Sequence, residues 1–295
     1  MSDVNETAVL SKVPVFGSVG FAYREGIGKY TTYLKVAWLP AVVAAAVMTL
    51  PSYVMPHLLS NDGAPDQVAD PFSQFFSSEF IVALFLATVL QVLLVIPLYA
   101  VWYRQAAMGP EFALGGSKWP YGTRERRLLL ASLFLFLCCV IFGAVLFAVL
   151  STVVTGALAF IVGFSAIVAY VYCIGRMIPL LVGAAVGDEV SVSESWQITQ
   201  GQGWRIFFSV LVLVISSALL FALIGFIAGM GGGFVIVIFS SLFGAFGETI
   251  GRLVLDAVLA FIVILPSLAV YCCFQSGIYG RLRERLLALR DRHPA

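Results

Sequence analysis

The sequence predicts an all-α integral membrane protein: six transmembrane helices as three hairpins, each preceded by a cytoplasmic interfacial helix. Three observations carry that expectation. The chain is 61% hydrophobic and only 11% charged, with a mean hydropathy of +1.00; it lacks the polar surface to meet water on every side, whereas lipid accepts it. Its apolar runs are continuous over about 20 residues instead of alternating over about 10. Inside a bilayer only helices and closed barrels satisfy their own backbone, so these runs are helices. Finally, the basic residues fall almost entirely on one side of the runs.

Six spans follow, within one polytopic domain covering residues 1–295: Tyr33–Val54, Phe80–Trp102, Leu128–Leu150, Thr155–Gly175, Ile206–Ala228 and Leu253–Phe274. Each can cross about 30 Å of hydrocarbon. From Leu128 to Gly187 the only charged residue is Arg176, so length alone divides the third span from the fourth, at Ser151-Thr152. Gly231-Gly232-Gly233 opens a further apolar stretch too short to span. It is a re-entrant or interfacial segment, or a lengthening of the fifth helix. The first residues are mixed and polar, so no cleavable signal peptide is expected.

Orientation follows from lysine and arginine. Of the 17 basic residues, all but Arg252 lie in the N-terminal stretch, the second-to-third loop, the fourth-to-fifth loop and the tail Arg281–Arg292. The positive-inside rule places those segments, and both termini, in the cytoplasm. The first outer loop agrees, with Asp62, Asp66 and Asp70 and no basic residue.

The stretch SWQITQGQGWRIF, Ser195 to Phe207, is the most patterned polar piece. Ser191 and Glu194 have capping-box spacing, which starts a short helix. Val192, Trp196 and Thr199 share one of its faces. Gly201 and Gly203 end it, and Trp204 and Arg205 anchor the start of the fifth span at headgroup level, with Arg176 anchoring the end of the fourth. This is expected to be a helix lying on the membrane surface. Upstream, Phe16, Val19, Tyr23, Ile27, Tyr30 and Leu34 recur at helical spacing before the first span, and Trp119–Arg124 is a looser counterpart before the third. The even-numbered spans end in related hexads, Tyr99–Arg104, Val171–Arg176 and Val270–Gln275. The unit so implied is a surface helix followed by a transmembrane hairpin, used three times.

R-x-x-x-L-L at Arg176–Leu181, followed by E-S-W-Q-I-T-Q-G-Q-G-W-R-I at Glu194–Ile206, resembles a sequence shared by uncharacterised six-helix bacterial inner-membrane proteins. It is also similar to the membrane domain joined to some glycerophosphoryl diester phosphodiesterases. The resemblance implies a bacterial inner-membrane location. Where that membrane domain accompanies an enzyme, the chemistry sits in a separate soluble domain.

Residues suited to chemistry are few. His57 and His293 are too sparse and too far apart for a histidine-built metal site or a triad, and no P-loop, dinucleotide fingerprint or H-E-x-x-H occurs, so no cofactor is expected. Cys138, Cys139, Cys173, Cys272 and Cys273 all fall in spans and read as small packing residues. Glu248, Arg252 and Asp256, spaced i, i+4, i+8 at the outer end of the sixth helix, form a candidate charged ladder. It is either a structural ion ladder at the interface or a gate facing the bundle interior. A net charge of +1 argues against nucleic acid. The expectation is a non-enzymatic inner-membrane protein that organises or binds lipids or partner membrane proteins; the alternative is a transporter or channel for a small solute or lipid.

Overall fold

The structure, a computed structural model, describes residues 12–47, 78–113, 122–152 and 157–292. The acidic first loop, the end of the first expected span, Trp119, His57 and His293 lie outside the described residues. Among those described, five helices are long and apolar enough to cross a membrane, or six if one bent pair forms a single span. The protein is an all-helical, multi-pass membrane protein.

In chain order the helices are α1 (Val15–Gly28), α2 (Tyr30–Val36), α3 (Trp38–Val47), α4 (Ser78–Met108), α5 (Pro110–Ala113), α6 (Thr123–Thr152), α7 (Ala157–Arg176), α8 (Ile178–Val186), α9 (Val192–Ile198), α10 (Gly203–Leu259) and α11 (Leu265–Arg292). A π-helical turn, Ala260–Ile264, joins the last two. It sits just before Pro266, whose ring lacks a donor and crowds the carbonyl four residues back; a wider turn relieves both problems.

Two expected spans are redrawn. The first does not begin as a straight helix at Tyr33, because α2 and α3 meet at 97°. Pro40 cannot donate to a carbonyl four residues earlier, so it belongs in a first turn, and the chain breaks at Ala37 to provide one. The fifth does not end at Ala228. Gly231-Gly232-Gly233 lies inside α10, and the helix lengthens through it; glycine is commoner in membrane helices than in soluble ones.

The reversal comes at Gly244, with φ +61° and ψ −144°, which only glycine adopts freely. A Cβ at Gly232 would lie 2.6 Å from the Leu255 side chain, and one at Gly251 would lie 3.2 Å from Ile236 Cα. Both pairings centre on the turn, so α10 is an antiparallel helical hairpin. A straight helix over residues 203–243 would run about 60 Å. That is twice the roughly 30 Å of hydrocarbon, so this arm is steeply tilted or leaves the core.

The buried residues concentrate at the end of the bundle that carries the arginines. Trp102, fully buried, donates its indole N–H to the Tyr33 carbonyl (3.3 Å). The hydroxyl of Tyr33 pairs with Cys273 Sγ at 3.0 Å, and Tyr103 donates to Gln275. These bonds join α2, α4 and α11 at the centre, while α6, α7 and α10 present apolar side chains outward. Short α8, seven of whose nine residues are buried, wedges among α4, α6 and α11.

On α1 the buried face is Ser18, Val19, Ala22 and Gly26, whereas Phe16 and Ile27 point outward. Of the positions singled out by sequence spacing, Val19 is buried and Tyr23 packs against the core, while Phe16 and Ile27 do not take part in the packing face. In lipid, large apolar groups gain little by leaving the solvent, and small residues let backbones approach. Gly26 shows the effect directly, since a Cβ there would stand 2.7 Å from the backbone of Val270 on α11.

Candidate functional site

At the arginine-bearing end, α7 stops at Arg176 and the chain bends through Met177 into α8. Arg176 is only 6% exposed. Its Nε donates to Thr199 Oγ1 at 2.9 Å, another guanidinium nitrogen donates to the Trp196 carbonyl, and the Trp196 ring centroid lies 3.5 Å away. In return Ser195 Oγ donates to the Arg176 carbonyl at 2.8 Å. One cation thus holds the C-terminal end of short α9. The start of α9 is fixed by a capping box: Ser191 Oγ accepts from the Glu194 amide (3.1 Å), and Glu194 accepts from the Ser191 amide (2.7 Å).

The tail then folds over this unit. In α11, Tyr279 and Arg283 donate to Asp188 at 2.6 and 2.9 Å, Arg290 donates to Glu194 at 2.8 Å, and Arg285 reaches the carbonyls of Ile198 and Gln200. Arg127 pairs with Glu189 at 2.6 Å. Nearby, buried Arg104 pairs with buried Glu125, which also accepts the Gly122 amide at 2.6 Å at the head of α6. Together these bonds form a polar floor beneath the helices.

Above the floor lie two adjoining apolar cavities. The first, about 300 Å³, is walled by Val92, Ile96, Tyr99 and Tyr103 of α4, Leu128, Ser132, Leu135, Phe136 and Cys139 of α6, Tyr170 and Ile174 of α7, Leu181 of α8 and Tyr271 of α11. The second, about 340 Å³, lies between α6 and α7 and reaches Met177 and Val192 of α9. Leu135, Tyr170 and Ile174 line both. Outward-facing Phe134, Cys138, Ala169 and Cys173 border the second, so it opens sideways between α6 and α7. Phe142 stacks on Tyr170 at 4.9 Å beside it.

The residues picked out by sequence are distributed as follows. Trp196 and Trp204 are 42% and 57% exposed, and Arg205 is exposed. Trp204 packs on Tyr172, with ring centroids 5.2 Å apart. Arg176 turns into the protein instead of toward the headgroups. The buried side of α9 is Ser195, Ile198 and Thr199, and of the predicted face Val192 and Trp196 point outward. Arg252 and Asp256 follow the Gly244 turn, Arg252 exposed and Asp256 half-buried; the Glu248 side chain lies outside the described residues. Among the described residues no three His, Cys, Asp or Glu side chains form a metal-ligand set. The five cysteines are free thiols, Cys272 and Cys273 buried and the others outward.

Sequence reading passed over the Arg104–Glu125 pair and the tail's protein partners. The signal for the first was present, because Arg104 closes the same kind of hexad as Arg176. No family model matches the chain, and neither does any curated protein or solved structure.

Burial alone would raise the Asp188 carboxyl, but hydrogen bonds from Tyr279 and Arg283 outweigh it and hold the group below its ordinary 3.8. Glu194 lies below its ordinary 4.5, chiefly because Arg290 donates to it. Both acids are depressed in the folded chain. The stability they contribute is therefore complete above their unfolded values and lost as pH falls through the folded ones. Thermal stability in nanodiscs should hold from neutrality to about pH 5 and drop below about pH 4. Asp188→Asn with Glu194→Gln should flatten that drop; a variant losing stability over the same range as steeply as wild type would contradict the assignment.

Proposed function

We propose that this is a non-enzymatic, multi-pass protein of the bacterial inner membrane that holds lipid in the cleft between α6 and α7, and thereby organises lipids or partner membrane proteins. The observation that supports it is the pair of apolar cavities sharing Leu135, Tyr170 and Ile174, the second of which opens sideways between α6 and α7. Sites for small ligands are apolar concavities of this size with a few polar groups. The inner-membrane assignment rests on the resemblance carried by Arg176–Leu181 and Glu194–Ile206.

In this reading the chain is built of three hairpins, each entered through a short interfacial helix. Arg104 and Arg176 support the repeat: both are buried, both close a span, and both bind the segment that follows. Trp196 and Trp204, half outward at the arginine-bearing end, suit headgroup depth. In this reading that end faces the cytoplasm, which the distribution of basic residues supports. On a cysteine-free background, Ser241→Cys beside the hairpin turn should react with an impermeant maleimide on intact cells, and Glu284→Cys only after permeabilisation. The reverse pattern would invert the topology.

The lipid reading is tested by filling the shared wall. Leu135→Trp places a larger ring in both cavities. After gentle extraction, native mass spectrometry should find lipid retained on the wild-type chain and reduced about tenfold or more on the variant. Equal retention at equal melting temperature would reject the cleft as the site.

A further inference from the structure

Lipid chains are as apolar as the walls of this cleft, so chain burial alone gives it little reason to select one lipid over another. Selectivity must come from polar groups. The first cavity is lined by five hydroxyl-bearing side chains, Tyr99, Tyr103, Ser132, Tyr170 and Tyr271, of which Tyr170 is paired with Cys139 and Tyr271 with Gln275. Tyr99 stacks on Tyr103, with ring centroids 6.0 Å apart, but of these two only Tyr103 has its hydroxyl engaged, donating to Gln275. The hydroxyls of Tyr99 and Ser132 both line the cavity, and neither has a hydrogen-bond partner among the described residues.

The two hydroxyls are matched in depth. Tyr99 lies nine residues before the end of α4 at Met108, and Ser132 lies nine residues after the start of α6 at Thr123. Both distances are about 14 Å along the helix. Each group also falls three or four residues, roughly 5 Å, inside the expected hydrocarbon boundaries at Trp102 and Leu128. That is where the headgroup region passes into acyl chains. An unpaired hydroxyl in so apolar a setting is costly, and each of these is a donor without an acceptor.

We infer that the cleft selects ester-linked glycerophospholipids: an ester carbonyl at the head of an acyl chain accepts hydrogen bonds from Tyr99 and Ser132, while the chain lies along Leu135, Tyr170 and Ile174. The inference rests on the lipid reading above and adds the recognition chemistry to it. Carbonyl oxygen is the fitting partner because it accepts without needing an acceptor in return. A diether lipid has the same chains and headgroup but lacks that oxygen.

The full-length protein in mild detergent is offered an equimolar mixture of dipalmitoyl phosphatidylglycerol and its dialkyl ether analogue, and the retained ratio is read by native mass spectrometry. Wild type should retain the diester over the diether by about threefold to tenfold, the scale of one or two hydrogen bonds. Tyr99→Phe with Ser132→Ala, which remove only hydroxyls, should bring the ratio close to one while total lipid bound stays similar. Equal retention by wild type, or a preference that survives the double substitution, overturns the inference and leaves the cleft intact as a lipid site. If neither lipid stays bound to wild type, the lipid reading itself fails, and this inference fails with it.

Discussion

A guanidinium that is 6% exposed in a protein surrounded by lipid must find its partners inside the chain, and Arg176 finds them in Trp196 and Thr199. Much of the arginine-bearing end follows from that requirement. Holding the backbone of α9 beside the end of α7 leaves Glu189 and Glu194 where Arg127 and Arg290 can reach them. It also sets the length of chain, 177–191, in which α8 can drop between α4, α6 and α11. Packed there, α8 contributes Leu181 to the wall of the first cavity. A second buried cation, Arg104, paired with buried Glu125, completes the polar floor.

Packing elsewhere obeys the solvent. Where α1 crosses α11, the contact is Gly26 on Val270 and Phe21 on Gly277, so small residues do the approaching while Phe16 and Ile27 face outward. The α10 hairpin uses the same device, with Gly232 opposite Leu255 and Gly251 opposite Ile236. Among the described residues, some side-chain hydrogen bonds join elements distant in sequence: Tyr23 to Ser216 and Ser217, Tyr33 to Cys273, Tyr103 to Gln275. Such bonds fix register between helices that would otherwise slide in a uniform medium.

Apolar run length was enough to read the helical class and the approximate place of most spans from sequence, and the capping box at Ser191 and Glu194 was legible residue by residue. The bends were not. Three consecutive glycines drew attention to 231–233, yet a helix in lipid tolerates them, and the turn falls on the isolated Gly244. Periodicity on α1 marked Val19 and Tyr23, which pack, together with Phe16 and Ile27, which do not, and it missed Ser18, Ala22 and Gly26, the small residues that let backbones approach. The tail arginines read as topology or headgroup contacts, since nothing in their spacing names Asp188 or Glu194 about 90 residues earlier. The cleft left no trace in the sequence at all. A cavity is a relation between helices, and Tyr99, Ser132 and Tyr170 belong to three of them.

The central claim is that the gap between α6 and α7 is an occupied lipid site and not an unfilled fault in packing. The most direct measurement is a high-resolution cryo-EM or crystallographic map of the protein in nanodiscs of bacterial lipid. The account predicts elongated density along Leu135, Tyr170 and Ile174, with its polar end against Tyr99 and Ser132. A map in which α6 and α7 close on each other, leaving no room beside Tyr170, would contradict it.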